Sequence, residues 1–120
     1  MLHLVYRIRL TAAAEADPRK FWAWVQEREK WFYDGLDTVL ATRWTVRTVG
    51  TDVHTIEHTV TFADEAAWGH YRRQLSERGR VPAWDRRRAE QGTWWQLLDA
   101  ALLSDPPVTI GFDRTPGPER

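Results

Sequence analysis

Two alternating stretches joined by a three-residue turn constrain this chain more than anything else in it. Residues 38–49, TVLATRWTVRTV, put Leu40, Thr42, Trp44 and Val46 on one face and Ala41, Arg43, Thr45 and Arg47 on the other. Residues 53–62, VHTIEHTVTF, alternate in the same way, and Gly50, Thr51 and Asp52 stand between the two. A period of two, rich in threonine and valine, is a strand pattern, and the short glycine turn returns it as a hairpin. This decides the meaning of His54, Glu57 and His58, which read H-x-x-E-H. On a helix the two histidines would lie one turn apart, about 6 Å, and could share a zinc ion. On a strand the same spacing covers about 13 Å, and Glu57 points to the opposite face. No metal is expected there. His54 and His58 fall with Ile56, Val60 and Phe62 on the apolar face, where a histidine is expected to be a hydrogen-bonded core residue or to mark the sheet end.

The rest of the chain fits around this hairpin. Residues 2–11 alternate, with Leu2, Leu4, Tyr6, Ile8 and Leu10 on one face and His3, Val5, Arg7, Arg9 and Thr11 on the other, which predicts a strand. AAAEADP reads as a link ending in a cap at Asp17, with Pro18 in the first helical turn. Phe21, Trp24, Val25, Arg28 and Phe32 then follow the 3.6-residue period, and Gly35 supplies a stop. A second helix opens at Asp64, buries Ala67, Trp68, Tyr71 and Leu75, and closes at Gly79. A short helix is expected near Pro82. Residues 93–103 fit both periods, but Asp99 spoils the apolar face of a strand and no β-branched residue follows Thr93, so the expectation is a helix. PVTIGF, 107–112, is then the expected last strand.

The composition belongs to one globular domain, expected over residues 1–112, with 113–120 a flexible tail. Seventeen basic and seventeen acidic side chains leave no net charge, which argues against a nucleic-acid partner or an anionic membrane surface. The absence of cysteine excludes thiolate chemistry and disulfides. No apolar run has the length of a signal or membrane segment, so a cytoplasmic protein is expected.

The order β-α-β-β-α-(α)-β is a split βαβ arrangement, α+β in class, with helices on one face of an antiparallel sheet. With the hairpin VRTVGTDVHTIEHTVTF and the helix opening FADEAAWGHYRRQL, the chain resembles the dimeric α/β barrel superfamily, in its antibiotic-biosynthesis-monooxygenase and NIPSNAP-like types. The resemblance covers residues 2–112. It implies a ferredoxin-like fold and a homodimer whose sheets face each other. It also implies a small-molecule enzyme of secondary metabolism, such as a cofactor-independent monooxygenase acting on an aromatic or polyketide-like compound. The superfamily equally contains cyclases, isomerases and proteins without turnover. Haem-degrading members use a helical histidine as iron ligand, a part that would fall to His70. Their first-strand asparagine is absent, and Arg7 stands near the comparable place, so no cofactor is expected.

Two groups of residues are candidates for chemistry. On the polar sheet face, Arg7 and Arg43 are expected to hold a carboxylate, phenolate or enolate, with His3 and Glu57 as acid and base. The alternative for this face is a wet dimer seam. Tyr6, Trp44, Trp68, Tyr71 and Trp84 are expected to wall a cavity for a flat organic ligand, drawing on the chain's eight tryptophans.

Overall fold

The computed structural model describes residues 1–115. Its elements are β1 (Leu2–Leu10), α1 (Ala12–Ala16), α2 (Pro18–Phe32), β2 (Ala41–Val46), β3 (Ile56–Phe62), α3 (Glu65–Arg78), α4 (Pro82–Ala89), a 3-10 turn (Glu90–Thr93) and β4 (Trp95–Ser104). The four strands form one sheet in the order β2-β3-β1-β4, and every neighbouring pair is antiparallel. This is the ferredoxin-like split βαβ arrangement expected from the element order.

Local chemistry explains the helix ends. The Asp17 carboxylate accepts from the Lys20 amide and Pro18 occupies the first turn, so α2 starts where its orphan donors are satisfied. Asp64 caps α3 in the same way, accepting from the Ala67 amide at 2.8 Å. At the other end of α2, Arg78 reaches across from α3 and donates to the carbonyls of Phe32 and Asp34. Gly35 turns the chain there at φ +77°, a conformation that only glycine adopts freely. AAAEA is a short helix rather than a link, because the Thr11 hydroxyl accepts from the Ala14 amide and Ala14 is fully buried.

The helices cover one sheet face, where Leu2, Ile8, Ile56, Val60 and Phe62 are buried, as the alternation predicts. The core has two parts. One gathers Leu2, Phe32, Leu36, Val60, Phe62 and Tyr71; the other gathers Ile8, Ala14, Phe21, Val25 and Ile56. Tyr6 packs against both. Between them lies a polar island that becomes the candidate site.

Three expectations are corrected. Residues 95–104 are a strand, not a helix, and pair with the whole length of β1. A bulge opposite Arg7 and Ile8 resolves the conflict of period: Leu97 pairs with Ile8, but Asp99 pairs with Arg7. The extra residue resets the alternation, so Trp95 and Leu97 face the helices while Asp99 turns outward to Arg7, 3.3 Å away. Residues 107–112 form no strand, since β4 already occupies the place beside β1. The hairpin turn is also longer than three residues: β3 begins only at Ile56, and Asp52 and His54 both have positive φ. His54 is therefore an exposed turn residue and not part of the strand face.

Candidate functional site

The side chains singled out on the polar sheet face do lie there. Arg47 donates to Glu57 at 3.1 Å, and Arg7 donates to Asp52 and Asp99, each at 3.3 Å. His3 contacts Thr61 and Asp105, and Asp105 also binds the N-terminal amine. Those bonds, from the N-terminus first and His3 second, hold the Asp105 carboxyl below its ordinary range. Arg43, His3 and Glu57 flank one shallow, threonine-lined depression. Arg7 lies outside it, paired with its two aspartates. The arginines of this face therefore mostly have acids beside them on the same chain.

A second, partly open cavity lies on the other side of the sheet. It has a volume of about 200 Å³ and sits between β1, β2, β3, β4 and the C-terminal half of α2. Tyr6, Trp44 and Tyr71, expected as ligand walls, line it together with Trp95. Trp68 and Trp84 line an adjoining groove of about 530 Å³, and Tyr6, Phe32, Tyr71, Leu75 and Arg88 border both spaces. The inner chamber is below the usual range for ligand pockets, roughly 300–1,000 Å³. It accepts one ring, and a larger compound would extend into the groove.

Three polar side chains give this chamber its character. His58 projects from β3 and is 3% exposed. Its Nδ1 lies 3.2 Å from the Arg43 carbonyl, which can only accept, so the ring proton belongs on Nδ1. Its Nε2 then accepts from the Tyr33 hydroxyl at 2.6 Å. Trp44 stacks on the imidazole with ring centres 3.9 Å apart and planes 19° from parallel. Burial first, and the Arg28 charge second, push the His58 pKa down to about 3. Burial likewise pushes the phenols of Tyr33, Tyr71 and Tyr6 up. At neutral pH the chamber holds a neutral imidazole and neutral phenols.

Arg28 is the exception. It lies on the apolar face of α2, is 6% exposed, and has its guanidinium carbon 3.9 Å above the Phe32 ring. Tyr33 and Trp95 rings lie 5.8 and 5.5 Å away. Its Nε and Nη1 are buried without a hydrogen-bond partner among the described residues. Among the described residues Arg28 has no ion pair; the neighbouring Glu29 accepts through Oε1 from Thr42 at 2.8 Å and from the Trp44 indole at 2.7 Å, and its Oε2 is buried without a hydrogen-bond partner. Aromatic faces offset part of the cost of a buried cation, and the two unmade hydrogen bonds are a remaining cost that an anionic guest would relieve.

In the sequence, Arg28 falls on the apolar period of α2. An arginine in step with Phe21, Val25 and Phe32 is a charge committed to the core, and that was the available signal. Tyr33 carried no such mark, because it follows the last helical residue. His70 lies on α3 near Asp37, 3.6 Å away and half exposed. Among the described residues no group of three or more histidine, aspartate or glutamate side chains could hold a metal ion. Among the described residues no helix is long and apolar enough to cross a membrane.

No protein-family model and no curated protein sequence matches the chain. Solved structures do match. HapK from Hahella chejuensis superposes with a TM-score of 0.61 at 16% identity, over 94% of this chain and 100% of that one. A NIPSNAP domain protein from Burkholderia xenovorans gives 0.60 at 14% identity, over 92% and 100%. A protein of the antibiotic biosynthesis monooxygenase type from Bacteroides thetaiotaomicron gives 0.51 at 13% identity, over 95% of each chain. At these identities the likeness is one of fold. The chain shares the ferredoxin-like α+β fold of these proteins, and chemistry must be argued from its own residues.

Proposed function

We propose that this protein is a small-molecule enzyme that ionises a phenolic or enolisable compound in the helix-side cavity and holds the resulting anion, without a bound redox cofactor. The observation that carries the reading is the buried Arg28 guanidinium, whose Nε and Nη1 have no hydrogen-bond partner among the described residues, in the same chamber as the Tyr33–His58 hydrogen bond. Arg28 suits the developing negative charge, because its donors are already in place and desolvated. Trp44, Trp95 and Phe32 suit a flat ring. Tyr33 and His58 suit the departing proton, which needs an acceptor beside the reacting atom. This places the proton chemistry on His58, Tyr33 and Arg28, while His3, Arg7, Arg43 and Glu57 serve the outer face. An ionised aromatic compound is electron-rich, which is what a cofactor-free oxygenase requires of its substrate.

The test is to present small hydroxynaphthols and 1,3-dicarbonyl compounds to the wild type and to Arg28→Met. Oxygen consumption that the variant loses assigns the protein to the oxygenases. Conversion in anaerobic buffer, again lost in the variant, assigns it to the cyclases or isomerases. Substrate ionisation that the two proteins support equally contradicts the reading.

We further infer that a second copy of the chain covers the outer face. From Gln96 to Ser104, every residue of β4 is exposed, and Leu103, opposite His3, lies on the outer face. Beyond β4, Val108, Ile110 and Phe112 are 62%, 75% and 82% exposed. Apolar area of this extent on an open strand edge invites a partner. Sedimentation should give a dimer in the wild type and a monomer for Leu103→Glu; a monomeric wild type sinks the inference.

A further inference from the structure

We propose that anion binding and proton acceptance are one coupled event in this cavity: an anion seated on Arg28 is what enables the Tyr33–His58 pair to take up a proton. This rests on the proposed ligand-anion reading of the helix-side cavity.

The argument begins with what surrounds His58. The chamber around it receives Arg28 from α2 and Tyr33 just beyond that helix; Tyr6 from β1; Trp44 and the Arg43 carbonyl from β2; and Tyr71 from α3. Arg88 of α4 also lines the chamber but is held by Asp85 at 2.9 Å. Glu29 communicates with the ring through Trp44, which stacks on His58 while donating to the carboxylate. Among the described residues, Arg28 is therefore the cation lining the chamber that no carboxylate holds. His58 and Arg28 are both buried, so little water screens one from the other.

In the empty chamber the guanidinium opposes a second positive charge on His58. An anion on Arg28 cancels that opposition and gives the imidazolium a neighbour of opposite sign. For a neutral acid the step balances without a co-reactant. The substrate's O–H or C–H bond breaks, and its electron pair stays on the substrate as a phenolate or enolate against Arg28. The proton passes to the Tyr33 oxygen as Tyr33 gives its own proton to His58 Nε2. A preformed anion should instead bind with uptake of a proton from solvent. The empty site thus resists idle protonation, and the base becomes competent only when the product of its action is there to balance it.

Benzoate is the probe: an unreactive one-ring anion across pH 5–7. Calorimetric titrations in buffers of different ionisation enthalpy should show proton uptake. Wild-type affinity should rise as pH falls, by up to about tenfold per unit. His58→Gln should bind benzoate with affinity that is flat over the same range. A flat wild-type profile, or a slope that His58→Gln retains, overturns the coupling and leaves the anion site standing. Failure to bind benzoate at all, or equal binding by Arg28→Met, overturns both. Should His58→Gln not fold, the His58 ring resonances of the wild type supply the readout: protonation on adding benzoate at pH 5.5 supports the coupling, and unmoved resonances overturn it.

Discussion

The buried imidazole makes the stability of this protein depend on pH in a defined direction. In the folded chain both His58 nitrogens are committed, Nδ1–H to the Arg43 carbonyl and Nε2 to the Tyr33 hydroxyl, and adding a proton breaks the second bond. Its pKa is pushed down to about 3 from the ordinary 6.5, by burial first and Arg28 second. Between those two values the unfolded chain binds more protons than the folded one. Stability is therefore complete above pH 6.5 and declines as pH falls toward 3, with no further loss from this group below that. The full gap corresponds to roughly 5 kcal/mol, of which about half should be lost between pH 7 and pH 4.5. Urea unfolding followed by tryptophan fluorescence at several pH values measures it. His58→Gln is the control, since it keeps a polar group near Nε2 but cannot titrate. It should begin about 1–2 kcal/mol less stable at pH 7 and lack the His58 component of the slope. Parallel pH profiles for the two proteins would refute the reasoning, as would a His58 resonance titrating near 6.5.

Other substitutions test separate parts of the structure. Arg28→Met should leave stability to urea within about 1 kcal/mol of the wild type, or raise it, because a buried unpaired cation costs more than an apolar chain of similar length; it should also weaken benzoate at least tenfold. A loss of several kcal/mol would mean that Arg28 has a structural partner. Glu57→Gln, on the outer face, should cost no more than about 1 kcal/mol and leave benzoate affinity unchanged, since its bond to Arg47 is partly exposed. A tenfold loss of affinity would move the site to that face. Gly35→Ala should destabilise by about 1–2 kcal/mol, because it forces positive φ on alanine and brings its Cβ to 2.9 Å from Arg78 Nη2. An unchanged unfolding midpoint would show that the turn relaxes freely.

Much of this architecture is written in periodicity. The faces of β1, β2 and β3 follow from strict alternation, and the start of α2 from Asp17 and Pro18. β4 was hidden for two physical reasons. Its leucines and alanines favour a helix locally, and pairing with β1 overrides that preference. Its bulge also breaks the alternation that would have marked it. Glu57 turned outward as its position in the strand required, and there it meets Arg47. Which buried arginine lacks an acid beside it among the described residues is a question of tertiary distance. Arg7 finds Asp52 and Asp99 only because a loop and a bulged strand converge on it, and no spacing announces that. Arg28 was visible as a charge in an apolar row, but its lack of a partner needed the packed structure.

The most direct test is a crystal structure of the protein grown with benzoate. The carboxylate is expected within hydrogen-bond distance of Arg28, with the ring between Trp44, Trp95 and Phe32 and near the Tyr33 hydroxyl. Benzoate seated instead against Arg43 and Glu57 on the outer sheet face, with the helix-side chamber empty, would contradict the assignment of this cavity as the site of an organic anion.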